Sequence, residues 1–406
     1  MFSLPESPSS ASPSSSASSS SPSPSPSTRS QPALIKLDLL LRVLQNTFLH
    51  PFIAWLLPLC LRAQATPYSH PSFLFTTLYA TLLTLLVLAS AVNRRLAYGQ
   101  PRNVNFAEEV VLITGGASGI GKIIAEIYGM RGVSVAVLDI MARTMDGVGS
   151  GEEGVEEEMS NVRYYRCDVG DRTQLEDIAK RVEEDLGRPT ILINCVAAPI
   201  NGLPILSLTE HAVRSTIQSN LLSYFHTLQV FLPGILTSRT GGTIVTVSSV
   251  LSYLTAAGLA DYTATKAAVS AVHRTLEAEL RLVGAEQRVK TILVETGQVA
   301  TQLFENVETP NRFFAPVLEP VEVAREIVSL VDSGNGGLVR LPTYAAFVGL
   351  YGILPASIQR LARYFSGIDK AIRNATFFTE SEKTKNWSVW AERYSESEVE
   401  SENSDE

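Results

Sequence analysis

Cysteine is scarce in this chain of 406 residues: Cys60, Cys167 and Cys195 stand far apart, without metal-ligand spacing. An odd, sparse set excludes a disulfide scaffold and fits a reducing compartment, and no metal site is expected. Cys60 reads as a buried apolar thiol. A basic patch is also lacking, so no nucleic-acid partner is expected. The formal charge of −8 says little about the whole, because residues 392–406 hold seven acidic side chains and only Arg393. The N-terminus lacks the charged start and apolar core of a cleavable secretory signal. No internal repeat is visible.

Two kinds of segment frame the rest. Residues 1–32 are almost entirely Ser, Pro and Ala and cannot bury enough apolar surface to order themselves. Residues 376–406 read as an acidic, solvated tail. Between the first tail and the remainder lies a membrane-anchoring region, 33–97. Its run 73–92 (FLFTTLYATLLTLLVLASAV) has twenty residues without a charge, enough to cross a hydrocarbon core of about 30 Å. Arg94 and Arg95 follow at once and Arg102 close behind, which marks the cytoplasmic end. The run 48–61 is shorter and interrupted by His50, Pro51 and Pro58. It reads as the second leg of a hairpin or as an interfacial segment with Trp55 at headgroup depth, and Lys36 and Arg42 precede it.

From residue 105 to about 375 the pattern is one of strands alternating with helices. Strands are expected at 110–113, 133–138, 162–166, 190–194, 243–248, 290–294 and 337–341. Helices are expected at 120–131, from Pro320 to 331, and as a long helix carrying Asn220 that opens on a capping box, Ser207 to Glu210. Such alternation implies an α/β fold, a doubly wound parallel sheet of Rossmann type with helices on both faces. Residues 141–160 read as an inserted solvent loop. The apolar stretch 345–355 is too short for a confident span; it reads as a helix closing a pocket, or as a shallow membrane contact.

The turn 114–121, TGGASGIG, stands directly between a strand and a helix. Gly115, Gly119 and Gly121 let the backbone approach a pyrophosphate, and Ser118 and Ile120 head the helix that stabilises it. Asp139 closes the next strand, where a carboxylate accepts from ribose hydroxyls and repels a 2′-phosphate. With Ala117 and Ser118 uncharged, NAD is expected over NADP, and Arg143 is the nearby cation. Further on, Tyr262 and Lys266 lie one helical turn apart on one face, with Ser249 thirteen residues upstream of the tyrosine. An ammonium beside a phenol favours the phenolate and lowers its pKa toward the range of a general acid/base.

TGGASGIG, Asp168-Val169, Asn220, Ser249 and Tyr262-Thr-Ala-Thr-Lys266 fall in the order and spacing of the short-chain dehydrogenases/reductases, which this chain resembles from residue 109 to about 375. SSVLSYLTAAGLADYTATK is similar to the SSVAG…GLSDYCASK pattern of the membrane-bound retinol and hydroxysteroid dehydrogenases. The resemblance implies Tyr262 as acid/base, Lys266 as ligand of the nicotinamide ribose, Ser249 as polariser of the substrate oxygen and Asn220 as holder of a relay water. It further implies Asp168 and Val169 at the adenine, Asn194 against the cofactor, and Val299 and Thr301 beside the carboxamide. A homodimer is the family default.

Two departures stand out. Asn194-Cys195-Val196-Ala197 replaces the usual Asn-Asn-Ala-Gly, and Thr296-Gly297 replaces Pro-Gly. The expected protein is an oxidoreductase anchored in the endoplasmic reticulum or a lipid droplet, its catalytic domain facing the cytoplasm. It would act on a lipophilic alcohol or carbonyl of retinoid, steroid or fatty-aldehyde type. The alternative is a family member that binds cofactor but serves as a scaffold.

Overall fold

The computed structural model describes residues 37–141, 159–309, 311, 313 and 315–372. The expectations for 1–32, for most of 141–160 and for 376–406 lie outside them.

Three helices come first: α1 (Leu37–Asn46), α2 (Pro51–Ala63) and α3 (Pro71–Tyr98). Among the described residues α3 alone is long and apolar enough to cross a bilayer by itself. It runs beyond the apolar stretch, through Arg94 and Arg95, because nothing in that sequence breaks a helix before Gly99 (φ 70°). α2 packs on α3, its buried residues being Ala54 and Pro58 and that of α3 being Ala80. Small side chains at the crossing let the two backbones approach. Trp55 Nε1 donates to Thr84 Oγ1 at 3.0 Å across the pair. Cys60 is exposed on α2 rather than buried, because the helix has only one covered side.

Arg102 is not the free flanking cation that the sequence suggests. Its side chain is buried and pairs with buried Glu109 at 2.8 Å, while its Nε donates to Thr243 Oγ1 at 2.9 Å. A guanidinium taken out of water needs such partners. Lys290, also buried, donates from Nζ to the carbonyl of Tyr98 at 2.9 Å, at the last residue of α3. The segment between α3 and the sheet is therefore clamped at both ends.

Among the described residues the sheet has seven parallel strands in the order β3-β2-β1-β4-β5-β6-β7. They are β1 (Val110–Thr114), β2 (Ser134–Asp139), β3 (Val162–Arg166), β4 (Ile191–Asn194), β5 (Gly242–Ser249), β6 (Val289–Thr296) and β7 (Gly337–Leu341). Runs such as VVLIT and ILIN are buried throughout, as strands covered on both faces must be. One apolar core, built around Ile113, Ile193, Val245 and Ile292, fills one face; a second, around Leu112, Leu192, Ile244 and Leu276, fills the other. The helices covering these cores are α4 (Gly119–Met130), α5 (Arg172–Asp185), α6 (Glu210–Ile217), α7 (Ser223–Thr237), α8 (Ala260–Leu282) and α9 (Pro320–Asp332). Two short helices follow the sheet, α10 (Ala345–Tyr351) and α11 (Ala356–Ser366).

The expected long helix around Asn220 is broken. Thr209, not Ser207, caps α6, its hydroxyl accepting from Ala212 N at 3.2 Å, and Ser207 lies in a short 3-10 turn before it. Between α6 and α7 one π turn, Gln218–Leu222, inserts a residue and holds Asn220 buried. π turns of this kind are frequent at functional sites.

Candidate active site

The strand order reverses between β1 and β4, so the chain leaves their carboxyl ends in opposite directions and opens a crevice there. The turn after β1 forms one wall. A Cβ on Gly121 would sit 2.5 Å from Gly115 O and 2.9 Å from Gly116 Cα, backbone atoms that cannot yield. Gly115 and Gly119 take φ of +69° and +56°, the left-handed region that favours glycine. The turn thus brings the head of α4 and Ser118, Gly119 and Ile120 to the crevice with bare backbone, a cradle that fits a pyrophosphate.

The remaining cofactor candidates ring that turn. Asp139, at the end of β2, accepts from Ala117 N at 3.0 Å and Met141 N at 2.9 Å, which fixes its carboxylate at the mouth. Asp168 and Val169 follow β3, the neighbour of β2. Asp168 is exposed and accepts from Gly170 N at 2.8 Å, and Val169 is buried. Thr301 closes the turn from the far side: its Cγ2 lies 3.3 Å from where a Cβ on Gly119 would be. Val299 is buried and bridges to Leu318. Arg143 lies outside the described residues.

Asn194 ends β4 opposite Thr114, and its Oδ1 accepts from Thr227 at 2.9 Å. Its Nδ2 is buried without a hydrogen-bond partner among the described residues. A buried donor of this kind calls for a polar ligand or a water. The departure Cys195-Val196-Ala197 follows directly, with Val196 backbone 3.0 Å from a Cβ placed on Gly115. Burial pushes the Cys195 thiol up to about 12, so it stays protonated.

β5 and β6 bring the second group of residues together. Ser249 ends β5 opposite Thr296; its hydroxyl bonds Thr296 O at 3.3 Å and accepts from Leu251 N at 3.2 Å. Tyr262 and Lys266 lie one turn apart in α8, both buried, with Lys266 Nζ 5.8 Å from the tyrosine ring centroid. Nζ donates to Val247 O at 3.1 Å.

The electrostatics differ from the sequence expectation. Burial raises the Tyr262 phenol, a hydrogen bond with Ser249 offsetting part of that rise. Lys266 is not among the groups acting on it. Burial instead lowers the lysine to about 8, with Cys195 opposing the shift. In this state desolvation outweighs the ammonium–phenol attraction, because the amine is directed to a carbonyl rather than to the phenol.

Two cavities lie at Ser249 and at Lys266. One is a cleft of about 590 Å³, lined by Ser249 and by apolar side chains that include Leu251, Leu259, Phe304 and Ile368. Phe304 stands edge-on to Tyr262, centroids 6.2 Å apart. The other is a small cavity lined by Lys266, Asn220, Asn194 and Tyr224. Asn220 accepts from Ala198 N at 2.6 Å and donates to Thr265 Oγ1 at 3.0 Å.

Sequence reasoning missed Thr265 and the cluster around Glu295. The Glu295 carboxylate, buried behind Thr296, receives Arg340 at 2.8 Å, Arg274 at 3.1 Å and the Tyr253 hydroxyl at 2.9 Å. Only the acid within an apolar strand could have signalled it.

A switch-point crevice with a glycine cradle, beside a buried Tyr/Lys/Ser set, defines a dinucleotide-dependent oxidoreductase. The family model of the short chain dehydrogenases matches residues 109–312, and the chain belongs to that family. Human short-chain dehydrogenase/reductase 3 is 34% identical over 266 residues, 65% of this chain and 85% of that one. Human retinol dehydrogenase 10 is 29% identical over 299 residues, covering 67% and 86%. An uncharacterized oxidoreductase of Saccharomyces cerevisiae is 30% identical over 262 residues, covering 64% and 82%. The crystal structure of a short-chain dehydrogenase from Streptomyces avermitilis shares the fold: TM-score 0.51, 23% identity, 64% of this chain and 98% of that one. The protein is a dehydrogenase/reductase of the short-chain family, and its cofactor is a nicotinamide dinucleotide, NAD or NADP.

Proposed function

We propose that the protein is a membrane-anchored oxidoreductase that uses NAD(H) to interconvert a lipophilic alcohol and its carbonyl. The observation that carries the reading is Ser249, which lines an apolar cleft of about 590 Å³ and hydrogen-bonds the buried Tyr262, with Lys266 one turn further along α8. That volume suits a retinoid, steroid or long aldehyde. Bound nicotinamide would supply or accept the hydride.

The chain's own residues then handle the proton and the substrate. Ser249 hydrogen-bonds the substrate oxygen at the cleft wall. Tyr262, kept protonated by burial, gives its proton to a carbonyl oxygen in the reductive direction. Lys266 and Asn220, which share the small cavity, refill that proton through a water. The carboxylate of Asp139 at the cradle mouth supports NAD over NADP.

A span by α3, with Arg94 and Arg95 at its cytoplasmic end, supports membrane anchoring with the catalytic domain on that side. The endoplasmic reticulum or the lipid droplet is the membrane we favour, and a homodimer the assembly. The domain limits proposed are 33–97 for the anchor and 105–375 for the catalytic unit.

The test uses full-length protein in vesicles with retinal, steroid ketones and long aldehydes, and with NADH against NADPH. We expect oxidation of NADH with at least one lipid carbonyl, falling at least about 100-fold in Tyr262→Phe. Turnover that survives this substitution sinks the mechanism. A second reading, a cofactor-binding scaffold, draws on Cys195-Val196-Ala197 against the glycine turn. It predicts NADH binding without turnover of any carbonyl.

A further inference from the structure

α11 is inverted for a helix in water. Its two half-buried side chains are polar, Gln359 and Arg363, and Arg363 Nε donates to Asp369 at 3.1 Å. Its apolar side chains face out: Ile358, Leu361 and Phe365 are all exposed, Phe365 by 73%. α10 and the turn after it add exposed Phe347, Leu350 and Ile353. Monomeric proteins rarely leave so many large apolar side chains of one short segment uncovered.

We propose that α10 and α11 form a membrane-seated rim, their outward faces lying in the bilayer interface and opening the cleft directly to the lipid phase. The inference rests on the reading of the cleft as a site for lipophilic substrates. Three observations favour lipid as the occupant.

The first is Phe365, which belongs both to the exposed face and to the wall of the cleft, as do its neighbours Ser366 and Ile368 to the wall. An apolar path therefore leads from the outside of α11 to Ser249. The second is continuity with the anchor. Asp38, in α1, accepts from Thr343 N at 2.9 Å, and Leu37 N donates to Phe313 O at 3.2 Å. The segment that leads into the α2–α3 pair thus begins beside α10, and it too exposes Leu40 and Val43. The third is charge: Arg360 in α11 and Lys370 just after it are exposed, two cations in the same segment that lipid phosphates would meet. A second copy of the chain seated on this face would cover Phe365 and close the cleft that the face surrounds.

The experiment uses the full chain in phosphatidylcholine vesicles whose acyl chains carry bromine. An environment-sensitive fluorophore is attached at Leu361→Cys in a Cys60→Ser background. The same label at Lys180→Cys, on the exposed face of α5, is the control. We expect at least about twofold quenching at 361 and none at 180. Equal signals at the two sites overturn the proposal. So does shielding at 361 that persists in detergent and is lost on dilution, which indicates a homodimer. A variant with Ile358→Glu and Leu361→Glu, checked for an unchanged thermal midpoint, provides the second arm. Its KM for retinal delivered in vesicles should rise about tenfold, with KM for a water-soluble aldehyde unchanged. Parent protein that turns over neither aldehyde defeats the oxidoreductase reading and leaves the quenching result to decide the membrane contact.

Discussion

Asn220, held in the π turn between α6 and α7, donates Nδ2–H to the hydroxyl of Thr265 at 3.0 Å, one residue before Lys266. The bond ties the irregular turn to the helix that carries the tyrosine and the lysine. Thr265→Val removes the acceptor while keeping the shape, and leaves a buried amide unpaired. The expected loss is about 1–3 kcal/mol of stability in urea unfolding. A fall in kcat of about tenfold should accompany it, with NADH affinity kept. Thr265→Ser should recover both, because the hydroxyl returns. If Thr265→Val leaves kcat unchanged, Asn220 does not act through this contact.

Lys266 makes a second prediction, one that runs with pH. Its amine is lowered to about 8 by burial. A lysine with a depressed value binds its proton more weakly in the folded chain than in the unfolded one. It therefore opposes folding below about 8, and the opposition is relieved as pH rises from there toward the usual 10.5. Comparing parent protein with Lys266→Met isolates this contribution. The parent should gain about 3 kcal/mol on the variant between pH 7 and pH 10.5, measured by chemical denaturation without cofactor. A constant difference across that window would mean that the amine is solvated.

Gly121→Ala tests the cradle without touching a charged or proton-carrying group. The added carbon meets Gly115 O at 2.5 Å, so the turn must open. Quenching of protein fluorescence by NADH should weaken by at least about tenfold. Gly132→Ala, where nothing lies within 4 Å, is a control for cofactor binding, although its φ of +75° will cost some stability.

Much of the sheet was legible because a strand buried on both faces leaves an unbroken apolar run. The strand starts and ends of 162–166 and 337–341 match what is observed, and the others differ by one or two residues. The largest difference, two residues, comes at the carboxyl end of β6, where Thr296 is polar yet still paired in register with Ser249. Polarity at a site hides the end of a strand. The π turn at Asn220 left no trace, since one inserted residue does not alter a composition or a period enough to read. Arg102 misled for a different reason: adjacency to an apolar helix suggests a membrane flank, and only the distant partners Glu109 and Thr243 reveal a buried cation. The motif residues were found in sequence, yet their charge state was not. Whether Lys266 faces the phenol or a carbonyl depends on backbone that the spacing of Tyr262 and Lys266 does not encode.

The clamp between α3 and the sheet has a mechanical side. Lys290 holds the carbonyl of Tyr98, and four residues later Arg102 is locked to Glu109 and Thr243 beneath the strands. These contacts tie the end of the long helix to the sheet at two points. If α3 spans a bilayer as proposed, a tilt taken up to match the bilayer's thickness would pull on β6 through Lys290 and on β5 through Thr243, so the strain would reach the strands that carry Ser249 and Thr296.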